Sequence, residues 1–351
     1  MSSSSSSSST SSYCQLDASP FLETHYGLTT YESGKMFLLG PTIFIRVPII
    51  ILLLFMVAMH GFAATLFFDD MNLPLPAHRR AIVTSSRHYV RIILLLLGYI
   101  TLDVRGYREN CTRDMHKGQK RIVYVFNHVS FVDSMLMLYF FQPCGVTKKS
   151  IARIPILGTA IRGFQNVLVE RVEAGSEGAN LVNVGAKASN KTKLIAERVN
   201  DKRYPNMAVA PEGTTTNGRT VVKFKRGAFV PGAPVLPIVI RYPCRHHNVA
   251  WTLRDDLFAL VRMMCQFRNY VSVTVLPEYA PSAAERDDAE LYANNVQRLF
   301  ASELGAEPSN QDLATQFRLM QKGVKVSWDG RTILAPSDMK EHGYLVGSSE
   351  A

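Results

Sequence analysis

The sequence lacks several patterns that define common classes of protein. It contains neither the Gly-x-Ser-x-Gly motif of serine hydrolases nor the Asp-x-[Asp/Asn]-x-[Asp/Asn]-Gly loop that binds calcium. No Cys-x-x-Cys pair occurs, so neither a zinc site nor a framework of disulfides is indicated, and we expect a reducing compartment. The cysteines are odd in number and widely spaced: Cys14, Cys111, Cys144, Cys244 and Cys265.

Charged residues are also scarce, at 19% of the chain against 47% apolar residues. The 39 Lys and Arg outnumber the 29 Asp and Glu, which gives a net charge of +10. An excess of positive charge favours anionic partners. Because the basic residues alternate with long apolar runs and form no continuous stripe, we expect a lipid bilayer as the partner and no nucleic acid.

The 351 residues predict one domain with attached segments. Residues 1–35 open with polyserine and show no apolar periodicity, so we expect disorder there. Residues 36–104 contain two apolar runs and are predicted to anchor the chain to a membrane. Residues 105–305 form the predicted domain, and residues 306–351 carry a weak signal and are expected to be a loose tail.

The longest apolar run is Val47–Phe68, which has 22 residues and no formal charge. As a helix it extends about 33 Å, enough for a hydrocarbon core of about 30 Å. Pro48 lies near the start of the run, where a proline is tolerated. The run predicts a membrane-anchoring helix, and two alternatives stay open: a buried helix of a soluble protein, or a membrane segment that enters without crossing.

A second apolar run, Ile92–Leu102, covers only about 16 Å as a helix. It predicts either an interfacial helix or a helix that packs beneath the domain. The basic residues after the first run outnumber those before it, which predicts that the C-terminal side faces the cytosol. They are Arg79, Arg80, Arg87 and Arg91, against Lys35 and Arg46.

Short β-branched runs alternate with helical segments from about residue 105 onward. This pattern is typical of an α/β fold, here a mixed sheet flanked by helices behind an N-terminal membrane-anchoring helical segment. The predicted strands are Ile122–Phe126, Asn166–Val169, Met207–Ala210, Val235–Ile240 and Val271–Leu276. The predicted helices are 131–141, 176–200, 255–267 and 287–304.

One polar turn between a buried strand and a buried helix holds a histidine and a carboxylate. Ser130 and Asp133 match a capping box, so the helix is predicted to start at Ser130. A continuous helix would place His128 about 140° away from Asp133, so His128 must precede the helix if the side chains meet. The helix N-terminus favours an ionised Asp133, which would fix the tautomer of His128 and raise its basicity. The pair indicates a general base or, as the alternative, a satisfied turn.

Three further blocks follow predicted strands, where open α/β sheets bind ligands. Arg171 can hold a phosphate bidentately. The turn made by Glu212, Gly213, Thr214, Thr215 and Thr216 offers backbone N–H groups and hydroxyls to a phosphate or an oxyanion. Positive charge is added by Lys223, Lys225 and Arg226. The alternatives are a surface ion pair, an ordinary turn and a solvated loop.

Taken together, these blocks resemble the glycerolipid acyltransferase superfamily over roughly residues 105–305. The resemblance rests on His128-x4-Asp133, Gly163 to Arg171, Pro211-Glu-Gly-Thr214 and Val235-x-Pro237, in this order. Pro-Glu-Gly-Thr-Thr-Thr-Asn, Arg241-Tyr-Pro and Leu276-Pro-Glu-Tyr-Ala-Pro-Ser resemble the lysophosphatidylcholine acyltransferase branch. Lysophosphatidic acid acyltransferases typically carry Arg where this chain has Thr215, which argues against that acceptor.

The resemblance implies transfer of an acyl group from acyl-CoA, as co-substrate, to a lysophospholipid, either lysophosphatidylcholine or lysophosphatidylethanolamine. The alternatives are lysophosphatidic acid or glycerol-3-phosphate as acceptor, and a catalytically silent, membrane-bound lipid-binding protein. It implies no metal, and a membrane location in the endoplasmic reticulum with the catalytic domain facing the cytosol. A serine or cysteine hydrolase, with Ser130 as the nucleophile, is disfavoured because no activating motif is present.

The resemblance also assigns roles to residues. His128 is the base and Asp133 orients it, while backbone N–H groups near this turn are the expected oxyanion donors. Residues expected to meet CoA phosphates are Lys148, Lys149, Arg153 and Lys225. Residues expected to bind substrate are Gly163, Arg171, Glu212, Gly213, Thr214, Thr215, Thr216, Lys225 and Pro237.

Overall fold

A computed structural model of the chain describes residues 19–68, 73–112, 115, 120–169, 192–254 and 256–335. The helices are α1 (Thr30–Leu39), α2 (Ile43–Thr65), α3 (Ala77–Ser85), α4 (Arg87–Leu96), α5 (Tyr107–Asn110), α6 (Phe131–Phe140), α7 (Pro155–Gly163), α8 (192–200), α9 (Asp256–Met264), α10 (Ala283–Asp287), α11 (Ala289–Leu304) and α12 (Leu313–Gln321). The strands are β1 (Asp103–Arg105), β2 (Val123–Phe126), β3 (Cys144–Lys148), β4 (Val167–Val169), β5 (Met207–Val209), β6 (Val235–Arg241), β7 (Ser272–Val275), β8 (Lys325–Val326) and β9 (Ile333–Leu334).

Seven strands form one mixed sheet in the order β1-β7-β6-β2-β5-β3-β4. Five neighbours, from β6 to β4, run parallel, whereas β7 pairs antiparallel with β6 and β1 pairs parallel with β7. Val123 of β2 sits between Met207 of β5 and Val235 of β6 in the register. The predicted mixed α/β architecture is confirmed.

All five predicted strands are present in this sheet, but two of its seven strands were not predicted. Strand β1 has the sequence Asp-Val-Arg and β3 has Cys-Gly-Val-Thr-Lys, and neither shows a sustained β-branched pattern. Pairing with β7 and with β4 and β5 supplies the stability that local propensity lacks.

The sheet is covered on both faces, as its alternating side chains require. Tyr124 and Phe126 of β2 pack with Leu136 of α6 and with residues of α4 and α9. Val123 and Val125 point to the opposite face and pack with residues of β5, β6 and α11. The core is therefore divided into two apolar layers by one sheet.

Helix α2 begins at Ile43, earlier than the apolar run predicted, and its 23 residues include Pro48. Pro48 therefore lies inside the helix and not near its start, and it cannot donate a hydrogen bond to the carbonyl of Phe44. The short 3-10 turn at Gly40–Thr42 joins α1 to α2, so the whole stretch Thr30–Thr65 is helical. Among the described residues, this is the one helix long and apolar enough to cross a membrane.

The second apolar run belongs to α4, which packs beneath the sheet. Ile93 and Leu94 are fully buried in the larger core layer, and Val90 is buried against α2. The observed position corresponds to the packing helix, one of the two alternatives that the short run left open.

The expectation of disorder is wrong for residues 19–35, while residues 1–18 lie outside the described part. Phe21 and Leu22 are buried, although few apolar residues surround them in the sequence. In α1, Glu32 pairs with Lys35 and lies 3.4 Å from Arg262 of α9. A segment held by buried ion pairs has no apolar periodicity for sequence analysis to detect.

The expected loose tail is also ordered as far as residue 335. Helix α12 and the β8–β9 hairpin follow α11, and Val324 and Val326 pack on Leu22. The Leu28 N–H donates to the Asp329 carbonyl over 2.7 Å. The N-terminal and C-terminal segments thus stabilise each other at the surface of the domain.

Candidate active site

Three adjacent parallel strands end at the same edge of the sheet and bring the candidate site together. Strand β2 leads to His128, β5 leads to Glu212, and β6 leads to Tyr242. Because the carboxyl ends of parallel neighbours meet at one edge, residues far apart in sequence become neighbours there.

His128 and Asp133 form the predicted pair. His128 Nδ1 lies 2.9 Å from Asp133 Oδ2, and the imidazole is 23% exposed while the carboxylate is fully buried. Ser130 caps α6 in extended conformation, and the capping box with Asp133 is complete. His128 therefore lies in the turn before the helix. With Nδ1–H donating to the carboxylate, Nε2 is the nitrogen that can accept a proton.

Asp133 accepts hydrogen bonds from four donors. Its Oδ2 accepts from the N–H groups of Val129, at 2.7 Å, and Ser130, at 2.8 Å, and from His128. Its Oδ1 accepts from the hydroxyl of Tyr242. Charge-assisted bonds of this kind stabilise the ionised carboxylate and fix its orientation.

The hydrogen bonds of this turn bear on the prediction that its backbone N–H groups stabilise the oxyanion. The N–H groups of Val129 and Ser130 are directed at Asp133, and the N–H of His128 donates to Glu212 Oε2 over 3.3 Å. All three backbone N–H groups of the His128–Ser130 turn, called the active turn below, therefore donate to carboxyl groups. The oxyanion donors must come from other groups that line the site.

Tyr242 belongs to the Arg241-Tyr-Pro motif, but the sequence alone assigned it no role. It follows β6, and its ring packs edge-on against that of Tyr99, with centroids 6.2 Å apart. Burial, together with the nearby Asp133 charge, raises the pKa of Tyr242 well above its usual value. The hydroxyl therefore stays protonated and serves as a donor to Asp133.

Glu212 is buried beneath the active turn, 1% exposed. Burial raises the pKa of its carboxyl well above the ordinary value, the His128 N–H bond opposes this, and the nearby Asp133 charge adds to it. Glu212 therefore helps to shape the turn by accepting the hydrogen bond of the His128 N–H.

The raised pKa of Glu212 predicts a pH-dependent stability. The folded state holds a proton that the unfolded chain releases above about pH 4.5, so stability is complete below that pH and declines as pH rises toward the folded pKa. We expect Glu212→Gln to remove this pH dependence of the free energy of unfolding, which amounts to at most about 1.4 kcal/mol per pH unit. Thermal unfolding in detergent from pH 5 to 8 should show a melting temperature that falls more steeply in the wild type. Parallel curves would contradict a protonated Glu212.

The three threonines of the Glu212–Thr216 turn bind protein groups. The hydroxyl of Thr214 donates to Gln316 and that of Thr215 to the carbonyl of Trp251. The Thr216 N–H donates to the His128 carbonyl over 2.9 Å. These contacts hold the turn against His128, and the predicted binding of a phosphate by this turn stays a prediction.

The remaining predicted substrate residues divide between the site and the scaffold. Gly163 ends α7, and a Cβ there would lie 2.5 Å from Gly61 Cα, so this glycine permits close packing of α7 on α2. Pro237 lies within β6 where its ladder with β7 is interrupted. Neither residue lines the cavity, and Arg171 lies outside the described residues.

A cavity of about 1220 Å³ opens beside His128. Gly213 and Lys225 line it, so the structure brings these two predicted residues to the base. Lys149 and Arg153 are not among its described lining residues, and the side chain of Lys148 is not described. Ser130 is fully buried and acts as the helix cap, which does not suit a nucleophile.

Comparison with known proteins identifies the class. Residues 103–241 match the Acyltransferase family model, a region that runs from β1 to the end of β6 and contains both members of the histidine–aspartate pair. This segment is an acyltransferase domain.

The curated relatives that the chain resembles are lysophospholipid acyltransferases. The chain is 28% identical over 313 residues to the Lysophospholipid acyltransferase LPEAT2 of Arabidopsis thaliana, covering 88% of this chain and 54% of that protein. It is 36% identical over 246 residues to a Lysophosphatidylcholine acyltransferase of Drosophila melanogaster, covering 69% and 43%. A crystal structure of the LPA acyltransferase PlsC from Thermotoga maritima is 16% identical with a TM-score of 0.47, covering 79% of this chain and 95% of that chain.

Residues 103–241 belong to the Acyltransferase family, and the relatives that the chain resembles are lysophospholipid and lysophosphatidylcholine acyltransferases. The chain spans about half the length of the curated relatives it matches.

Proposed function

We propose that the protein transfers an acyl group from acyl-CoA to the free hydroxyl of a lysophospholipid. The observation that carries the proposal is the imidazole of His128, oriented by a buried carboxylate and lining a large cavity. The reaction needs no metal, since the base, its orienter and the leaving thiolate account for every proton.

The proposed chemistry follows from the geometry of the pair. His128 Nε2 takes the proton of the lysophospholipid hydroxyl while that oxygen attacks the thioester carbonyl. Asp133 holds the ring and stabilises the imidazolium that forms. Collapse of the tetrahedral intermediate breaks the C–S bond, and the imidazolium returns its proton to the CoA thiolate.

The acceptor is a choline or ethanolamine lysophospholipid in this proposal. The Arabidopsis and Drosophila relatives both act on lysophospholipids by name, and the position after Glu212-Gly-Thr214 is Thr215 in place of arginine. A phosphomonoester such as lysophosphatidic acid carries a second negative charge, and Thr215 offers no cation to bind it. The hydroxyl of Thr215 already donates to the carbonyl of Trp251.

The test is an acyl-transfer assay with the purified chain in mixed micelles and radiolabelled acyl-CoA. Lysophosphatidylcholine, lysophosphatidylethanolamine, lysophosphatidic acid and glycerol-3-phosphate are offered separately. We expect the first two to be acylated with a kcat/KM at least about tenfold above the others. Label in none of the four products would overturn the proposal and favour a lipid-binding protein without activity.

We also propose that α2 anchors the domain without crossing the bilayer, on the cytosolic face of the endoplasmic reticulum. A single stripe of α2, one residue per helical turn, contacts the domain from the first turn to the last: Ile43, Val47, Ile50, Leu54, Val57, Gly61 and Ala64. The opposite side exposes Phe44, Ile51, Leu52, Phe55 and Phe62.

This packing favours a monotopic arrangement. If α2 crossed the bilayer, the domain beside its full length would have to enter the hydrocarbon too. A helix lying in one leaflet keeps its exposed apolar side in lipid and its other side on the domain. Arg79 donates to the carbonyls of Ala64 and Leu66 and so satisfies the end of α2.

The monotopic proposal predicts that both ends of the chain lie on the same side of the membrane. Epitope tags at the two ends should both be digested when protease is added to sealed microsomes, while a lumenal marker stays protected. A tag at the N-terminus that survives until detergent is added would show that α2 crosses.

A further inference from the structure

The cavity beside His128 has an uneven distribution of charge. Its charged lining side chains, apart from the histidine, are Lys193, Lys225 and Arg226, and no carboxylate is among the described lining residues. The lining near Leu138 and Ile161 is uncharged. A ligand in this cavity therefore meets cations in one part and apolar groups in another.

The cations come from segments that are packed together. The 3-10 turn Arg226–Ala228 lies on α8, because a Cβ on Gly227 would be 3.7 Å from the Ile195 side chain. The Lys223 N–H donates to the Gln311 carbonyl over 2.9 Å, which joins the residues before this turn to the segment before α12.

Helix α12 completes this part of the wall. Leu313 and Phe317 lie four residues apart, so they share one face of α12, and both line the cavity. Between them, Gln316 is buried and accepts a hydrogen bond from the hydroxyl of Thr214 in the Glu212–Thr216 turn. Residues 313–321 follow the segment that matches the acyltransferase family model, so no family resemblance had assigned them to the site.

Lys225 brings positive charge close to the reacting centre. Gly213 has φ +69°, and a Cβ there would lie 2.5 Å from Lys225 Nζ. Gly213 thus leaves the space that the Lys225 ammonium group occupies beside the Glu212–Thr216 turn. The three cations extend outward from this point to Arg226 and Lys193, which are exposed.

The uncharged part of the cavity adjoins the membrane anchor. Leu138 packs in the apolar cluster that contains Val57 and Ala64 of α2. Ile161 belongs to α7, which crosses α2 at the Gly61–Gly163 contact. An acyl chain placed here would lie beside the helix that enters lipid.

We propose that α12, with Lys193, Lys225 and Arg226, forms the binding wall for the CoA moiety of the acyl donor. This inference rests on the proposed function. CoA carries three phosphate groups, which match the three cations of the described lining, although Lys193 also lies 4.0 Å from Glu197, whereas the ammonium of a choline head group would be repelled. Leu313 and Phe317 cover the uncharged pantetheine arm, and the thioester then lies between this wall and His128.

The test compares two donors that differ only in the nucleotide: palmitoyl-CoA and palmitoyl-pantetheine. For Lys193→Gln/Arg226→Gln we expect the KM for palmitoyl-CoA to rise about tenfold, with the KM values for palmitoyl-pantetheine and lysophospholipid unchanged within about twofold. Phe317→Ala should raise the KM of both donors and leave that of the lysophospholipid. A matched control at the exposed C-terminal end of α12, Lys322→Gln, should change none of these values.

A second readout does not depend on turnover. Isothermal titration of free CoA into the His128→Ala protein should give a Kd about tenfold weaker when the Lys193→Gln/Arg226→Gln changes are added. In the wild type, added salt should raise the KM for palmitoyl-CoA more than that for palmitoyl-pantetheine, because exposed charges are screened.

The outcomes separate the two proposals. If the wild type transfers acyl groups but the double variant affects both donors equally, or affects only the lysophospholipid, the wall does not bind the nucleotide. Equal salt dependence for the two donors would also show, without any substitution, that the wall does not bind it. If the wild type transfers no acyl group while CoA still binds as expected, the proposed function fails and the binding wall stands.

Discussion

Replacing His128 with alanine is expected to lower kcat for acyl transfer by about 10²–10⁴-fold, the contribution typical of a positioned general base. The side chain is partly exposed to the cavity, so the change removes the proton acceptor without opening the core. KM for the lysophospholipid and for acyl-CoA should change little, because the imidazole acts on a proton and holds no binding group. Steady-state kinetics in micelles with both substrates varied measures the two constants separately.

The matched control for this prediction is His88→Ala, since His88 is exposed on α4, away from the sheet edge that carries the site. It should retain wild-type kcat. The melting temperature of His128→Ala should lie close to that of the wild type, which separates loss of chemistry from loss of fold. A His128→Ala protein that keeps kcat within about threefold would exclude this histidine as the base.

The His128–Asp133 pair could be predicted because its geometry is encoded in six consecutive residues. A capping box fixes where the helix starts, and the start fixes which residues stay outside it. Tyr242 could not be found in this way, because the bond to Asp133 joins residues 109 positions apart. Only the order of β6 beside β2 brings them together.

For the threonines of the Glu212–Thr216 turn, the sequence identified the residues but not their partners. A Gly/Thr turn has the same sequence whether its hydroxyls face a ligand or the protein, and here Gln316 and the carbonyl of Trp251 receive them. The partner at position 316 lies in a region whose pattern predicted no structure. Sequence analysis therefore found the turn but could not identify the protein partners of its hydroxyls.

The ordered ends have a related cause. Glu32 and Lys35 resemble solvent-facing residues in the sequence, and they are buried because Arg262 of α9 and Gln266, just after α9, contact them. Buried charges need partners, and partners distant in the chain leave no periodic signal. Five of the seven strands of the main sheet do leave such a signal, and they were predicted from it.

The catalytic turn is also connected to the membrane anchor through α6. The helix that Asp133 caps carries Leu138 less than two turns later, and Leu138 packs with Val57 of α2. His128 is therefore held at a fixed distance from α2. Under the proposed function and the proposed membrane position of α2, a lysophospholipid keeps its acyl chain near the bilayer while its hydroxyl reaches His128, and this would account for an α/β domain joined to an apolar helix along its whole length.

Replacing Asp133 with asparagine is expected to lower kcat by about 10²–10⁴-fold as well, and for a different reason. An amide has one acceptor oxygen, whereas the carboxylate accepts three donors on Oδ2 and the Tyr242 hydroxyl on Oδ1. In either orientation the new NH₂ group faces a donor. Each buried donor left without an acceptor costs about 1–3 kcal/mol, so we also expect a lower melting temperature, unlike that of His128→Ala.

Tyr242→Phe tests a smaller disturbance of Asp133, because it removes one of the four hydrogen-bond donors to the carboxylate and keeps the aromatic ring. We expect a smaller fall in kcat, about tenfold, with both KM values unchanged. Tyr99→Phe is the control, since the neighbouring Tyr99 hydroxyl contacts Met263 and makes no bond to Asp133. In the Asp133→Asn background, Tyr242→Phe should cost much less than it does alone, because the two residues act through one hydrogen bond. Additive losses in kcat would mean that Tyr242 does not act through Asp133, and an Asp133→Asn protein with near-normal kcat would mean that His128 needs no carboxylate.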